Sequence, residues 1–227
     1  MKKITIYTEV AYFFALLLLA LGTAMVTYGG FGISMVVAPA YILHLYVSQF
    51  LPFFSFGMAE YILQAIILVI MMLILRKVRV TYFLSFVVAV FYGFILDGAM
   101  MIMSHVPETF VTRIIFYMLG IFVCCAAIAL LFNSYLPPEA YEMLVKEVAS
   151  NFNKPLYAVK RVYDIGSLAA SVALSLLLFG ELKGIGIGTI VCAVTYGFII
   201  RMFQKIYDKI FLFKDGLKLR RLFQKER

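Results

Sequence analysis

The sequence predicts an all-α, polytopic membrane protein: six transmembrane helices arranged as two inverted three-helix repeats, each repeat carrying a non-spanning or re-entrant segment. Three observations predict it. The 227 residues are 64% hydrophobic and 14% charged, with a mean hydropathy of +1.01. Soluble domains are about half apolar and about a quarter charged, and disordered chains are polar and charge-rich, so the natural solvent for this chain is a bilayer. Next, six apolar runs have the length of a crossing, with the basic residues gathered on one side of them. Last, a set of sequence features recurs in the second half of the chain.

The six runs are 10–28, 58–75, 81–103, 112–132, 162–180 and 187–203. Each is near the ~20 residues that cross a ~30 Å hydrocarbon core. The first follows Met1-Lys2-Lys3 and superficially resembles a signal peptide, but Glu9 interrupts it and the run is long enough to span, so it reads as an uncleaved helix. Residues 33–51 are apolar enough to span, whereas 136–153 carry Glu139, Glu142, Lys146 and Glu147 and are expected to lie along the inner surface.

Charge decides the topology. With six spans and the N-terminus inside, the inner segments 1–9, 76–80, 133–161 and 201–227 hold 2, 3, 4 and 9 Lys+Arg, which is 18 of the 20. The outer segments hold only Lys183, and Arg113 sits at an outer helix end. Basic loops stay cytoplasmic. If 33–51 crossed alone, every later loop would flip and most of this charge would lie outside. That segment is therefore read as re-entrant or interfacial, in keeping with Gly29, Gly30 and Gly32 before it and Pro39 within it. The expected location is a bacterial cytoplasmic membrane, with both termini cytoplasmic.

The repeat rests on several features. Tyr92-Gly93-Phe94-Ile95 recurs as Tyr196-Gly197-Phe198-Ile199, 104 residues later, and at that offset Glu60 meets Asp164 and Asp97 meets Arg201. Ala40-Tyr41 meets Ala140-Tyr141 at an offset of 100, and Pro52 meets Pro155 at 103. Both halves run span, non-spanning segment, span opening with an acid, short turn, span carrying Tyr-Gly-Phe-Ile. Three spans per half is an odd number, so the second half enters from the opposite side. Interrupted segments at matching places in inverted repeats point to a transporter site. The expected organisation is one transmembrane domain over 1–204, with repeats at about 10–103 and 112–203, and a basic amphipathic cytoplasmic tail over 205–227.

The run Gly29-Gly30-Phe31-Gly32-Ile33-Ser34-Met35-Val36-Val37-Ala38-Pro39, then Phe54-Ser55-Phe56-Gly57, and later Gly184-x-Gly186-x-Gly188-Thr189, resembles the bacterial YczE/YitT-like integral membrane proteins over most of residues 10–205. The resemblance implies a small integral membrane protein and a fold, not a substrate. The chain departs from the common pattern after Gly-x-Ser, where many members continue with an aromatic and an acid and this one has Met35-Val36-Val37. The resemblance therefore carries no polar role to those positions.

Ionisable residues inside a bilayer are costly, so each needs a reason. Glu60 opens the second span, with Gln64 one turn deeper on the same face. Asp97 lies toward the outer end of the third span, and Asp164 and Arg201 are the inner counterparts. Glu60 and Asp164 are also placed as helix-end anchors, favoured by the dipole at an N-terminus, and Asp164 is placed to pair with Arg201. Asp97, at a helix C-terminus, lacks that support. If Glu60 and Asp97 face one cavity, the vestibule is acidic and favours a cation, a proton or an amine. His44 could join them or pack at the interface. Tyr92 and Tyr196 could line a pathway or form packing notches with their glycines. Ser167, Ser171 and Ser175 share one helix face, where small residues usually let helices approach closely, with Ser171 as a candidate contact to substrate.

Other features carry less. Cys124, Cys125 and Cys192 lie in apolar runs and read as packing residues without disulfide or zinc spacing. With no Trp, 15 Tyr supply the interfacial belt. Gly184, Gly186 and Gly188 read as a tight turn and lack a phosphate-loop ending. The basic tail fits the anionic inner leaflet, so the formal charge of +8 calls for no nucleic acid. No catalytic, metal-ligand or cofactor constellation is found, and the chain is not expected to be an enzyme. The expected function is alternating-access transport of a small polar solute, amine-bearing or zwitterionic, or a vitamin-like compound. The alternatives are the substrate-binding subunit of a multi-component importer, or an accessory membrane protein without substrate. A chain this short could dimerise to enclose a pathway.

Overall fold

The structure, a computed structural model, describes residues 3–216, the side chains of Leu156 and Tyr157 excepted. Of the expected basic tail, Lys218, Arg220, Arg221, Lys225 and Arg227 lie outside the described residues. The elements run β1 (Ile4–Tyr7), α1 (Thr8–Gly29), α2 (Ala38–Val47), α3 (Phe56–Leu75), α4 (Val80–Ser104), α5 (Phe110–Phe132), α6 (Ala140–Asn151), α7 (Leu156–Phe179), α8 (Ile187–Ile210) and β2 (Phe211–Lys214). Helices α1, α3, α4, α5, α7 and α8 are each long and apolar enough to cross a membrane. The chain is a multi-pass, helical membrane protein. Large apolar side chains on its exterior, such as Leu177 and Ile187, are more than 80% exposed, which only a hydrocarbon solvent makes favourable.

The helix ends follow local chemistry. Ser55 caps α3 by accepting a hydrogen bond from the backbone N of Met58 at 3.0 Å. Thr109 and Thr112 form a reciprocal capping box at the start of α5. Gly30 (φ +70°) ends α1 in the left-handed conformation, its N–H donating to the carbonyl of Thr27. Pro39 sits in the first turn of α2, where its missing N–H costs nothing.

Helices α2 and α6 have only 10 and 12 residues, roughly 15 and 18 Å at 1.5 Å per residue, about half a bilayer core. Neither spans. Each half of the chain thus runs long, short, long, long.

The chain divides into two compact units. The first combines Met1–Gly30, Gly98–Leu136 and Val191–Arg227. Its centre is the α1–α5 pair, the first long helix of each half. The crossing is close because a Cβ on Gly22 would lie 2.7 Å from Sγ of Cys124, and one on Gly120 would lie 2.9 Å from the carbonyl oxygen of Gly22. Cys124, Cys125 and Cys192 are buried free thiols. Arg113 donates from Nε to the carbonyl of Gly29 at 2.9 Å and holds the end of α1. A two-stranded parallel pair, unanticipated in the sequence, joins β1 to β2 with Ile4 opposite Phe211 and Tyr7 opposite Lys214. The Glu9 carboxylate secures it by accepting from the Tyr135 hydroxyl and from the backbone N of Gly216. The first part of the expected tail is therefore the end of α8 followed by a paired strand.

The second unit combines Phe31–Asp97 and Pro137–Ile190. Its organising feature is a reciprocal packing of each short helix on a long helix of the other half. Helix α6 lies along α3: the Ala140 N–H meets Gln64, about halfway along α3, while Lys77, just beyond its end, donates to Asn151. Arg79 and Tyr82 at the start of α4 hold Glu147 of α6. Instead of lying on a surface, α6 buries Ala140 and Met143 against Leu68, Met71, Leu75 and Tyr82. Helix α2 lies on α7 in the same way. The carbonyl of Met35 accepts from Ser167, halfway along α7, and Tyr46 packs edge-to-face on Phe179 at its end. Both short helices therefore begin near the middle of their long partner and run to its end. The glycine-rich segments join here too: Ile33 N–H donates to the Gly184 carbonyl at 3.1 Å, and Gly188 N–H to that of Phe31 at 2.8 Å. Gly32 (φ +113°) leaves no room for a side chain, since a Cβ would lie 2.7 Å from the backbone N of Gly186.

Candidate functional site

The second unit contains a buried acidic cluster assembled from α3, α6 and α7. Glu60 and Gln64, one turn apart on α3, are both fully buried. Oε2 of Glu60 accepts from the Tyr141 hydroxyl at 2.8 Å and from Nε2 of Gln64 at 3.3 Å. Oε1 of Glu60 has no hydrogen-bond partner. Oε1 of Gln64 accepts from the backbone N of Ala140 at 3.1 Å. Gln64 thereby satisfies an N–H at the start of α6 that the residue preceding the helix, Glu139, does not cap with its own side chain.

Glu139 follows Pro137 and Pro138, and Ser85 of α4 fixes this turn by donating to the Pro138 carbonyl at 2.7 Å. The side chain of Glu139 is buried, and its Oε1 also has no partner. Burial pushes its carboxyl up to about 8, the negative charges of Glu60 and Glu142 push the same way, and the Lys160 ammonium partly offsets them. At neutral pH Glu139 is largely protonated. The Tyr141 phenol is raised well above 10 by burial first and then by Glu60, so it stays a hydrogen-bond donor.

Helix α7 closes the cluster. Nζ of Lys160 lies 3.0 Å from Oε1 of Glu142 and 3.1 Å from Oδ1 of Asp164, and 5.6 Å from the centre of the Tyr163 ring. The Tyr163 ring in turn lies 6.3 Å from that of Tyr141. Glu142 and Asp164 thus hold the one ammonium, whereas no basic side chain among the described residues pairs with Glu60 or Glu139. Of the four carboxyl groups in the cluster, two hold the one cation, and the other two, Glu60 and Glu139, each have a buried oxygen with no hydrogen-bond partner. Such an arrangement is costly unless a proton or a cation completes it.

The other residues singled out in the sequence fall elsewhere. Asp97 accepts from the Ser55 hydroxyl at 2.5 Å and from the backbone N of Gly57 at 2.7 Å. From α4 it caps the N-terminus of α3, where a negative charge is favoured. His44 bonds the Phe54 carbonyl through Nδ1 at 2.8 Å and stacks on Phe56. Both therefore hold the entry to α3. Ser171 donates to the carbonyl of Ser167, Ser167 to that of Met35, and Ser175 to that of Glu181, so the serine face is used on main-chain carbonyls. Tyr92 is buried beside Gly93, whose carbonyl would lie 2.0 Å from a Cβ on Gly57. In the first unit, Tyr196 is half-buried on α8, and its neighbour Gly197 has open space around its Cα. The two Tyr-Gly pairs therefore pack differently. Arg201 is exposed on α8, and Asp164 pairs with Lys160 rather than with it.

Sequence reasoning joined Glu60 to Gln64 and missed Glu139, Tyr141, Glu142, Lys160 and Tyr163. The match of Ala140-Tyr141 to Ala40-Tyr41 was the available signal, because it marks a short helix that packs in the core rather than at a surface.

No curated protein and no solved structure matches the chain. A family model described as a family of unknown function, DUF6198, matches residues 6–205. That span covers all of the second unit and most of the first, and the chain belongs to this family.

Proposed function

We propose that the protein is a secondary transporter that carries a small polar solute, amine-bearing or zwitterionic, across the cytoplasmic membrane by alternating access. The observation that carries this reading is the reciprocal packing of α2 on α7 and α6 on α3, with the buried Glu60–Glu139 cluster at the start of α6. Two short helices that start at mid-depth and run toward opposite ends are what an inverted repeat produces, and solute sites of such transporters lie near the bilayer midplane at interrupted helices. Exchange of shape between the halves converts an outward-open state into an inward-open one. The basic loops favour a cytoplasmic side for both termini. The resemblance to YczE/YitT-like proteins fits the same architecture.

The test is counterflow in proteoliposomes. Vesicles loaded in turn with unlabelled amines, amino acids and vitamins are diluted into labelled solute. At least one class is expected to show uptake stimulated by the same solute inside. Absence of such uptake across all classes, with protein that remains folded and inserted, would overturn the reading.

A further inference from the structure

We propose that the buried cluster of Glu60, Glu139 and Tyr141 binds the ammonium group of a small amine in exchange for one proton held by the two carboxyls. The inference deepens the transport reading and rests on it for its biological role, but the site itself stands on its own geometry. Two buried carboxyl groups, from α3 and from the turn into α6, each present an oxygen with no partner. Without a proton or a cation, two buried carboxylates of one cluster repel each other, so the pair holds one proton in its ground state.

Among the groups around the pair, the carboxylates favour an ammonium, and the opposing charge of Lys160 is taken up by Glu142 and Asp164. From α6 come the Tyr141 hydroxyl, which donates to Glu60, and Glu142. From α7 come Lys160, Tyr163 and Asp164. The charged Arg79 at the start of α4 is engaged farther along α6, at Glu147. Helix α2 packs Tyr41 on Phe56, at the entry to α3. The protein already houses one primary ammonium in this environment: Nζ of Lys160 sits on two carboxylates and 5.6 Å from an aromatic centroid, the combination that recognises alkylammonium ions. Glu60 and Glu139 offer the same chemistry without a tethered cation. A divalent metal is the weaker fit, because no group of three or more His, Cys, Asp and Glu among the described residues is placed to hold one. The exchange balances: one R–NH3+ enters, one proton leaves to solvent, and the net charge of the site is unchanged.

The test uses the full chain in detergent, with methylammonium and ethanolamine as probes and a pH dye in weakly buffered solution. The expected result is saturable binding with release of about one proton per amine bound. Glu60→Gln and Glu139→Gln should each reduce the release and weaken binding by about tenfold or more, while Glu181→Gln, on the loop between α7 and α8, should leave both intact. Tyr141→Phe guards against variants that fail to fold: it keeps the ring, removes the donor to ionised Glu60, and should move the midpoint of proton release to higher pH. Amine binding without proton release overturns the exchange, and so does absence of binding to both probes. Release that persists unchanged in Glu60→Gln and Glu139→Gln overturns the assignment of the site. If amines bind and release protons but nothing crosses the proteoliposomes, the transport reading fails and the site stands; if transport survives both Gln substitutions, the site fails and the transport reading stands.

Discussion

The contact of Gly57 on α3 with Gly93 on α4 should tolerate no side chain at all, and Gly57→Ala measures this. A Cβ at position 57 would sit 2.0 Å from the Gly93 carbonyl oxygen and 2.7 Å from Cγ of Asp97. Comfortable heavy-atom contact begins near 3.5 Å, so α3 and α4 must separate by more than about 1 Å or shift in register. Either movement also breaks the two bonds by which Asp97 caps α3, from Ser55 and from the Gly57 N–H. Overpacking costs about 1–3 kcal/mol and hydrogen bonds to a charged group about 1.5–3 kcal/mol each, so the expected loss with both bonds broken is about 4–9 kcal/mol. For a chain of this length that lowers the melting temperature by about 10 °C or more. A thiol-reactive fluorogenic dye reads the transition, because Cys124, Cys125 and Cys192 are buried until the protein unfolds. Gly98→Ala is the matched control on the same helix as Gly93, with nothing within 4 Å of its Cβ. If Gly57→Ala melts within about 2 °C of the control, the close crossing and its cap are not as described.

Two further outcomes follow from the second unit. Glu139 ordinarily titrates near 4.5 but keeps its proton up to about 8 in the folded protein. The folded state therefore binds more protons than the unfolded state between these values, and stability is full below the lower one and falls as pH rises toward the upper; melting scans across that range should show the decline, and Glu139→Gln should flatten it. Gly32→Ala combines a positive φ with a Cβ 2.7 Å from the backbone N of Gly186, so it should unlink the two glycine-rich segments and destabilise the protein by about 1–3 kcal/mol, read as a lower melting temperature than that of Gly166→Ala, whose Cβ meets open space.

The spans were legible because a bilayer crossing imposes length and hydropathy on a helix, and α1, α3, α4, α5, α7 and α8 fall where the apolar runs do. The short α2 was legible from Pro39 and its flanking glycines together with charge counting. Helix α6 was misplaced for a physical reason: Glu139, Glu142 and Glu147 look like solvated charges in sequence, but each is held by a partner or buried by α3, α4 and α7, which only the tertiary packing supplies. Asp97 carried the opposite ambiguity. Its position at the C-terminal end of α4 looked unfavourable, and the compensation comes from the N-terminus of a different helix, α3. The β1–β2 pair escaped notice because its two strands lie at opposite ends of the chain and have only four residues each.

The central claim is that α2 and α6 enter the membrane from opposite faces, and cysteine accessibility tests it most directly. With Cys124, Cys125 and Cys192 replaced by alanine, single reporters are placed at Gln49→Cys, just past α2, and at Ser150→Cys, at the end of α6, both exposed positions. A membrane-impermeant maleimide should label Gln49→Cys in intact cells and Ser150→Cys only in inside-out vesicles. Labelling of both positions from the same side would contradict the inverted arrangement and the alternating-access account built on it.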